Sequence, residues 1–362
     1  MNVLFVGPYR QADGWGLSCR NWINALVKNE NINLTTRPVY YIRQLEHSID
    51  DVIIKHENSI YSKYDVVIQK ALPHSLHINT SVKNIGIIDV QTQNWSNSRA
   101  ILLLNRLDEI YVNTKTEQKW LQQSGINTKI TVIPEPFDIE QSNKYKPEHF
   151  NLPVKQGTFV LYLSANLDSF SNIETVLTAY HLAFREMDDV SIVLVTQDNN
   201  VGSVRKQITE LSRNIKKALR INNHYRNEII VTLNNDINML DIHNSCSCFV
   251  NLSSATNFCK DTLIAANLGK TPIVMKNTGL SELIKQSGFS IKSEKTPVVL
   301  PTSPLPVEYD LFTANEFWYK PCLFSLIENM REAYKVHKGN KKLDTIDLKE
   351  YSFQTIGNRI CN

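Results

Sequence analysis

A chain of 362 residues with 42% hydrophobic and 21% charged side chains is long enough for about two domains with sizeable cores. A formal net charge of +3 is too small to demand a polyanionic partner, and no apolar run approaches the roughly 18 residues of a membrane-spanning helix. The first residues enter a strand at once, without a basic region or cleavage site, so no signal peptide is expected. The six scattered cysteines fit free thiols in a reducing, cytoplasmic compartment.

In chain order, strand and helix signals alternate. Asn2 to Gly7 reads as a buried strand. A loop from Gly7 to Gly16 follows, with a Gly14-Trp15-Gly16 tip, and then a helix over Leu17 to Lys28. Leu17, Trp22, Ala25 and Leu26 are its expected inward positions. Glycines at the tip let backbone approach a ligand closely, and the helix N-terminus suits a phosphate or sugar hydroxyl, although a plain loop fits the same residues. The spacing is not Gly-x-Gly-x-x-Gly, which argues against a dinucleotide site. Strands are predicted at Leu34–Tyr40, Asp65–Gln69, Ile85–Val90, Glu109–Asn113 and Ile130–Ile133, with helices at Ser98–Arg106 and Thr116–Gln123. Ile133-Pro134-Glu135-Pro136-Phe137-Asp138 ends this half, and the polar run Gln141 to Glu148 reads as a linker.

The second half repeats the alternation. Strands are predicted at Phe159–Ser164, Val190–Thr196, Ile229–Leu233, Cys248–Leu252 and Thr271–Met275. Helices are predicted at Asn172–Phe184, Val204–Leu219, Ile237–Asn244 and Asp261–Leu268. Glu316–Tyr319 and Phe324–Val336 are expected to be helical, with a terminal helix over Tyr351–Ile360. Alternation of this kind predicts an α/β fold of two Rossmann-like domains, residues 1–145 and 146–340, facing a cleft.

The stretch Leu252 to Met275 concentrates the binding signal. A strand end is followed by a polar turn (Ser253, Ser254, Thr256, Asn257), a short apolar helix, a Gly269 stop and the next strand. Such turns at the carboxyl end of a strand are where open α/β sheets bind phosphates. His243, Cys246, Cys248 and Cys259 match no usual zinc spacing, so no metal is expected. Arg205, Lys206, Arg213, Lys216, Lys217, Arg220 and Arg226 share one segment, which reads as a solvated helix face or as a contact for DNA phosphates or anionic lipid.

Taken in order, several segments resemble the GT-B glycosyltransferases, in particular the large retaining family that includes sucrose-synthesising relatives. They are Gly14-Trp15-Gly16, Leu107 to Thr114 with Ile133 to Asp138, Asn172 to Tyr180, Leu268 to Val274 and Tyr351-Ser352-Phe353. The resemblance implies a GT-B fold whose last segment, 341–362, returns to the first domain. It implies sugar transfer from a nucleotide-sugar donor to a hydroxyl of a polysaccharide or a modified phage DNA base, with retention and without an obligatory metal or other cofactor. The donor site so implied comprises Gly14, Trp15, Gly16, Ser253, Ser254, Thr256, Lys260, Asp261 and Thr262, with His74 and Gln93 as the catalytic candidates. The family's two glutamates fall at Thr256 and Ile264, and its basic pair near Asn166 and Ser171, so no residue of the family's type stands in those places. Lys260 is the candidate substitute cation. A catalytically silent protein that binds a glycan, nucleic acid or enzyme partner is the other reading, and a peripheral position at a membrane surface the other location.

Overall fold

The computed structural model describes residues 1–41, 49–140, 150–164, 170–185, 187–196, 201–221, 228–233, 237–298, 312–313, 315–341 and 343–360. Its chain divides into two compact units. One comprises Met1–Gln141, Pro297–Phe317 and Leu348–Asn362; the other comprises Ser142–Thr296 and Trp318–Asp347.

The described strands of the first unit form one parallel sheet: β1 (Asn2–Gly7), β2 (Asn33–Pro38), β3 (Val66–Lys70), β4 (Lys83–Ile87), β5 (Glu109–Val112) and β6 (Lys129–Val132). Their order is β2-β1-β3-β4-β5-β6. Helices α1 (Gly14–Val27), α2 (Asp51–Glu57), α3 (Ala100–Leu104) and α4 (Lys115–Gln123) supply the crossovers. Strands covered on both faces read as continuous apolar runs, as Val66-Val67-Ile68 does.

The second unit repeats the design with β7 (Phe159–Ser164), α5 (Ile173–Ala183), β8 (Val190–Thr196), α6 (Val201–Ala218), β9 (Ile229–Thr232) and α7 (Met239–Ser245). It continues with β10 (Cys248–Asn251), α8 (Lys260–Asn267), β11 (Ile273–Met275), α9 (Gly279–Ile284) and β12 (Phe289–Ile291). This sheet is also parallel, in the order β12-β11-β10-β7-β8-β9. β13 (Ser293–Pro297) and β14 (Phe317–Pro321) form a two-stranded sheet, and α10 (Leu323–Lys338) packs on α5.

The last helix, α11 (Phe353–Arg359), packs against α1 in the first unit, as the resemblance implies. Ser352 caps it by accepting from the Thr355 amide at 3.1 Å. Asn29 Nδ2 donates to the Gly357 carbonyl at 2.8 Å, and Tyr351 stacks on Phe137 at 5.7 Å between centroids.

Some expectations are corrected. Residues 316–319 are not helical: β14 occupies Phe317–Pro321, where Trp318 is buried at 2% exposure and its aromatic neighbours suit a pleated surface better than a helical one. Helix α1 starts at Gly14, so the Gly-Trp-Gly segment is its first turn and not a loop tip; the Asp13 carboxylate caps it by accepting from the Gly16 amide at 2.9 Å. Leu17, expected to face inward, is 38% exposed. Helix α3 is shorter than its pattern suggests, and α2 and α9 are additional. The predicted linker of residues 141–148 lies outside the described residues.

Candidate functional site

Ligands of open parallel sheets collect at the carboxyl ends of strands where the strand order reverses. In the first unit that place lies between β1 and β3, because β2 flanks one side of β1 and all later strands the other. β3 ends on Lys70, a lysine only 4% exposed, whose Nζ donates to Asp89 Oδ2 at 2.7 Å just beyond β4. Asn113, beyond β5, donates from Nδ2 to Asp89 Oδ1 at 3.4 Å. Glu135, beyond β6, accepts from Ser18 Oγ of α1 and from Asn21 Nδ2 at 3.5 Å. Four strand ends and one helix thus present a single charged cluster. Burial alone would lower the Lys70 pKa, but Asp89 and Glu135 reverse this and hold it above the ordinary lysine value, so the ammonium stays charged. Burial pushes the Glu135 carboxyl up, with Lys70 opposing.

A pocket of about 50 Å³ opens at this cluster. Lys70 and Asp89 form its charged wall, with Gln91 and Thr92 beside them. Trp15, Tyr41, Trp95 and Phe312 are among its other lining residues; Trp15 meets Tyr41 edge to face, with centroids 5.7 Å apart. Trp95 is fixed by its Nε1, which donates to Thr92 Oγ1 at 2.8 Å.

Of the expected residues near this pocket, Trp15 lines it. Gly16 serves packing: a Cβ there would sit 1.9 Å from the Gln11 carbonyl oxygen. Arg20 holds the same loop, donating from Nη1 to the carbonyls of Tyr9 at 2.7 Å and Gln11 at 2.8 Å. Gly14 is exposed on the helix start. His74 sits in the short turn Pro73–Ser75 after β3; its Nδ1 is buried without a protein partner among the described residues. Gln93 pairs through its backbone with Phe317, donating at 2.7 Å and accepting at 3.1 Å. Lys70 and Asp89 escaped sequence reasoning. A charged residue ending an apolar strand was the available signal, but its partner lies across the sheet.

In the second unit the order reverses between β7 and β10. Asn172, with a left-handed backbone (φ 54°), ties the two sides together. Its Nδ2 lies 2.7 Å from the Leu252 carbonyl, 2.9 Å from the Phe170 carbonyl and 2.9 Å from Ser254 Oγ. The Ser254 amide donates to the Phe170 carbonyl at 2.8 Å, and the side chain is 4% exposed. Thr262 is fully buried and receives Asn251 Nδ2 at 3.0 Å. Ser254 and Thr262 therefore brace the turn from within. Ser253, Thr256, Lys260 and Asp261 are partly exposed, with Thr256 Oγ1 donating to Ser253 Oγ at 3.0 Å.

At the family's glutamate places, Thr256 offers a hydroxyl and Ile264 is a packing residue at 7% exposure. Asn166 lies outside the described residues, and Ser171 is partly exposed. Cys246 and Cys248 are buried thiols, Cys246 pushed up to about 12 by burial. Among the described residues no group of three or more His, Cys, Asp or Glu side chains is placed to hold a metal. Arg205, Lys206, Arg213, Lys217 and Arg220 are exposed, Lys216 reaches to 3.7 Å from Glu228, and Arg226 lies outside the described residues. No described helix is long and apolar enough to cross a membrane.

No protein-family model and no curated protein sequence matches the chain. Solved structures do. The HepE protein of Anabaena in complex with UDP aligns with 99% of this chain and 98% of its own, at a TM-score of 0.56 and 15% identity. Sucrose-phosphate synthase from Thermosynechococcus elongatus aligns with 99% and 97%, at 0.57 and 13%. The N-terminal domain of Candida albicans trehalose-6-phosphate phosphatase aligns with 99% and 96%, at 0.62 and 11%.

The fold is GT-B. Both Rossmann-like halves and the returning terminal helix take part in it, since the GT-B neighbours match along nearly the whole chain.

Proposed function

We propose that this GT-B protein is a glycosyltransferase that moves a sugar from a nucleotide-sugar donor to an acceptor hydroxyl, with retention and without a metal or other cofactor. The supporting observation is that each parallel sheet carries polar side chains at its own reversal point, on a fold whose structural neighbours are glycosyltransferases.

In this reading the donor binds the second unit over Ser253 and Thr256. Lys260 and Asp261 lie at the start of α8, where amides and a cation favour a diphosphate, while Ser254 and Thr262 keep the turn in shape. Gly14, Trp15 and Gly16 are assigned to donor contact, and His74 and Gln93 to the reacting groups. The acceptor, a polysaccharide or a modified DNA base, binds the first unit. The neighbours solved with UDP or UDP-2-fluoro glucose make uridine donors the first to try. The protein is taken to act in the cytoplasm, with a membrane surface as the alternative.

The test is turnover and calorimetric binding across a panel of nucleotide sugars. Donor binding with hydrolysis or transfer supports the enzyme. Donor binding without transfer to any acceptor points to a catalytically silent GT-B protein, which Thr256 and Ile264 in the glutamate places favour. No turnover with any donor and no donor binding ends the enzyme reading.

A further inference from the structure

Away from both reversal points, the second sheet ends on β9, and among the described residues no strand pairs with the outer edge of β9. The Leu233 amide donates to the Thr196 carbonyl of β8 at 2.9 Å. Successive residues of a strand point their backbone groups to opposite sides, so Ile229 and Val231 also face β8, while Ile230 and Thr232 turn their amides and carbonyls outward. A groove of about 1000 Å³ follows this edge. It straddles the strand: Ile208 and Ile215 of α6 share a core cluster with Ile230 on one face, and Phe150 shares another with Ile229 and Val231 on the other. From α6, the exposed side chains of Arg205, Arg213 and Lys217 line it. Glu228 lines it too, but its carboxylate is engaged. It accepts from Ser212 Oγ and lies 2.9 Å from His181 Nε2 and 3.7 Å from Lys216 Nζ. The helical rise sets Arg213 about 12 Å from Arg205, and Lys217 about 6 Å further along. Side chains on one face of an extended peptide recur every ~6.6 Å, so acids at alternate positions match that spacing. The amides and carbonyls of a strand edge are complemented by another peptide backbone, and the flanking cations make that pairing selective for an acidic one.

We infer that the β9 edge is a docking site for an extended acidic segment of a partner protein. The segment adds as a further strand beside Ile230 and Thr232 and sets alternate Asp or Glu side chains against Arg205, Arg213 and Lys217. The inference goes beyond the glycosyltransferase reading and does not depend on it.

The experiment uses the full-length protein and a fluorescent, end-capped peptide of alternating Glu and Val, read by anisotropy. Its comparators are an alternating Gln and Val peptide, the Glu–Val peptide N-methylated along its backbone, oligodeoxythymidine, and phosphatidylserine vesicles. The Glu–Val peptide is expected to bind about tenfold or more tightly than the Gln–Val peptide, and to weaken as salt is raised. N-methylation should weaken it by about tenfold or more, because several strand hydrogen bonds are lost. Arg213→Glu combined with Lys217→Glu reverses charge at exposed helix positions and should cost a similar factor. Arg106→Glu combined with Lys119→Glu makes the same change in net charge at exposed positions of the first unit and should leave binding unchanged. The inference is overturned if the Glu–Val peptide does not bind, if the Gln–Val or N-methylated peptide binds as tightly, if the Arg213 and Lys217 variant binds like wild type, or if the first-unit variant loses as much. Oligodeoxythymidine or vesicles that displace the peptide, and whose own binding Arg213→Glu with Lys217→Glu abolishes, also overturn it, because the groove then takes another class of polyanion.

Discussion

The phenol of Tyr162 and the imidazole of His243 share a 2.6 Å hydrogen bond inside the second unit, with His243 Nδ1 facing Tyr162 Oη. Both side chains are fully buried, and His243 Nε2 has no protein partner among the described residues. Burial lowers the His243 pKa from 6.5 to about 4. The unfolded chain therefore binds a proton below about pH 6.5 that the folded chain refuses until about pH 4. Stability is complete above the upper value and falls through that window as pH drops, by on the order of 3 kcal/mol at most. Urea unfolding at about pH 7 and about pH 5 should show the loss, and His243→Gln should flatten it. An equal midpoint shift in the variant would assign the pH dependence elsewhere.

Gly16 permits the first unit's loop to close on α1. Gly16→Ala places a methyl 1.9 Å from the Gln11 carbonyl oxygen, against backbone that Arg20 holds. The expected loss is about 2 kcal/mol or more, read as a lower urea midpoint with an unchanged slope. By contrast Gly14→Ala, where nothing lies within 4 Å, should be neutral or slightly stabilising.

Gly357 plays the matching part for the terminal helix. A Cβ there would stand 2.2 Å from the Ala25 carbonyl, and the Gly357 carbonyl accepts from Asn29. Gly357→Ala is expected to loosen α11 from α1, costing about 1–3 kcal/mol as overpacking does. Hydrogen exchange of the α11 amides should rise well before global unfolding. Unchanged protection there would count against this packing account.

Asn172 combines a left-handed backbone with contacts to Phe170, Leu252 and Ser254. Asn172→Ala loses both features; Asn172→Gly loses only the side chain. We expect Ala to cost about 2–3 kcal/mol and Gly about 1 kcal/mol less than that. If the donor binds this turn, both variants should also raise the donor Kd, measured by calorimetry. Equal stability of the two would remove the backbone part of the argument.

How far the sequence reached can be seen in these same residues. Runs such as Phe159 to Leu163 announce buried strands because their side chains must be apolar on both faces, and their alternation with amphipathic helices announces parallel sheets. Strand positions were legible to within a few residues for that reason. Residues 316–319 were not, because Trp318 is placed by burial against Phe170 and not by any local periodicity.

The site was legible only in outline. A polar turn after β10 could be read locally, but which of its hydroxyls face inward depends on Asn172, some 80 residues earlier in the chain. Sequence alone determined the α/β class, the doubled Rossmann-like pattern and the absence of the family's glutamates, since each is written in neighbouring residues. Tertiary structure decided that Lys70 faces Asp89, that Gly16 must lack a side chain and that Thr262 is enclosed. Those outcomes depend on strand order, which brings distant residues to one sheet edge, and no local pattern encodes them.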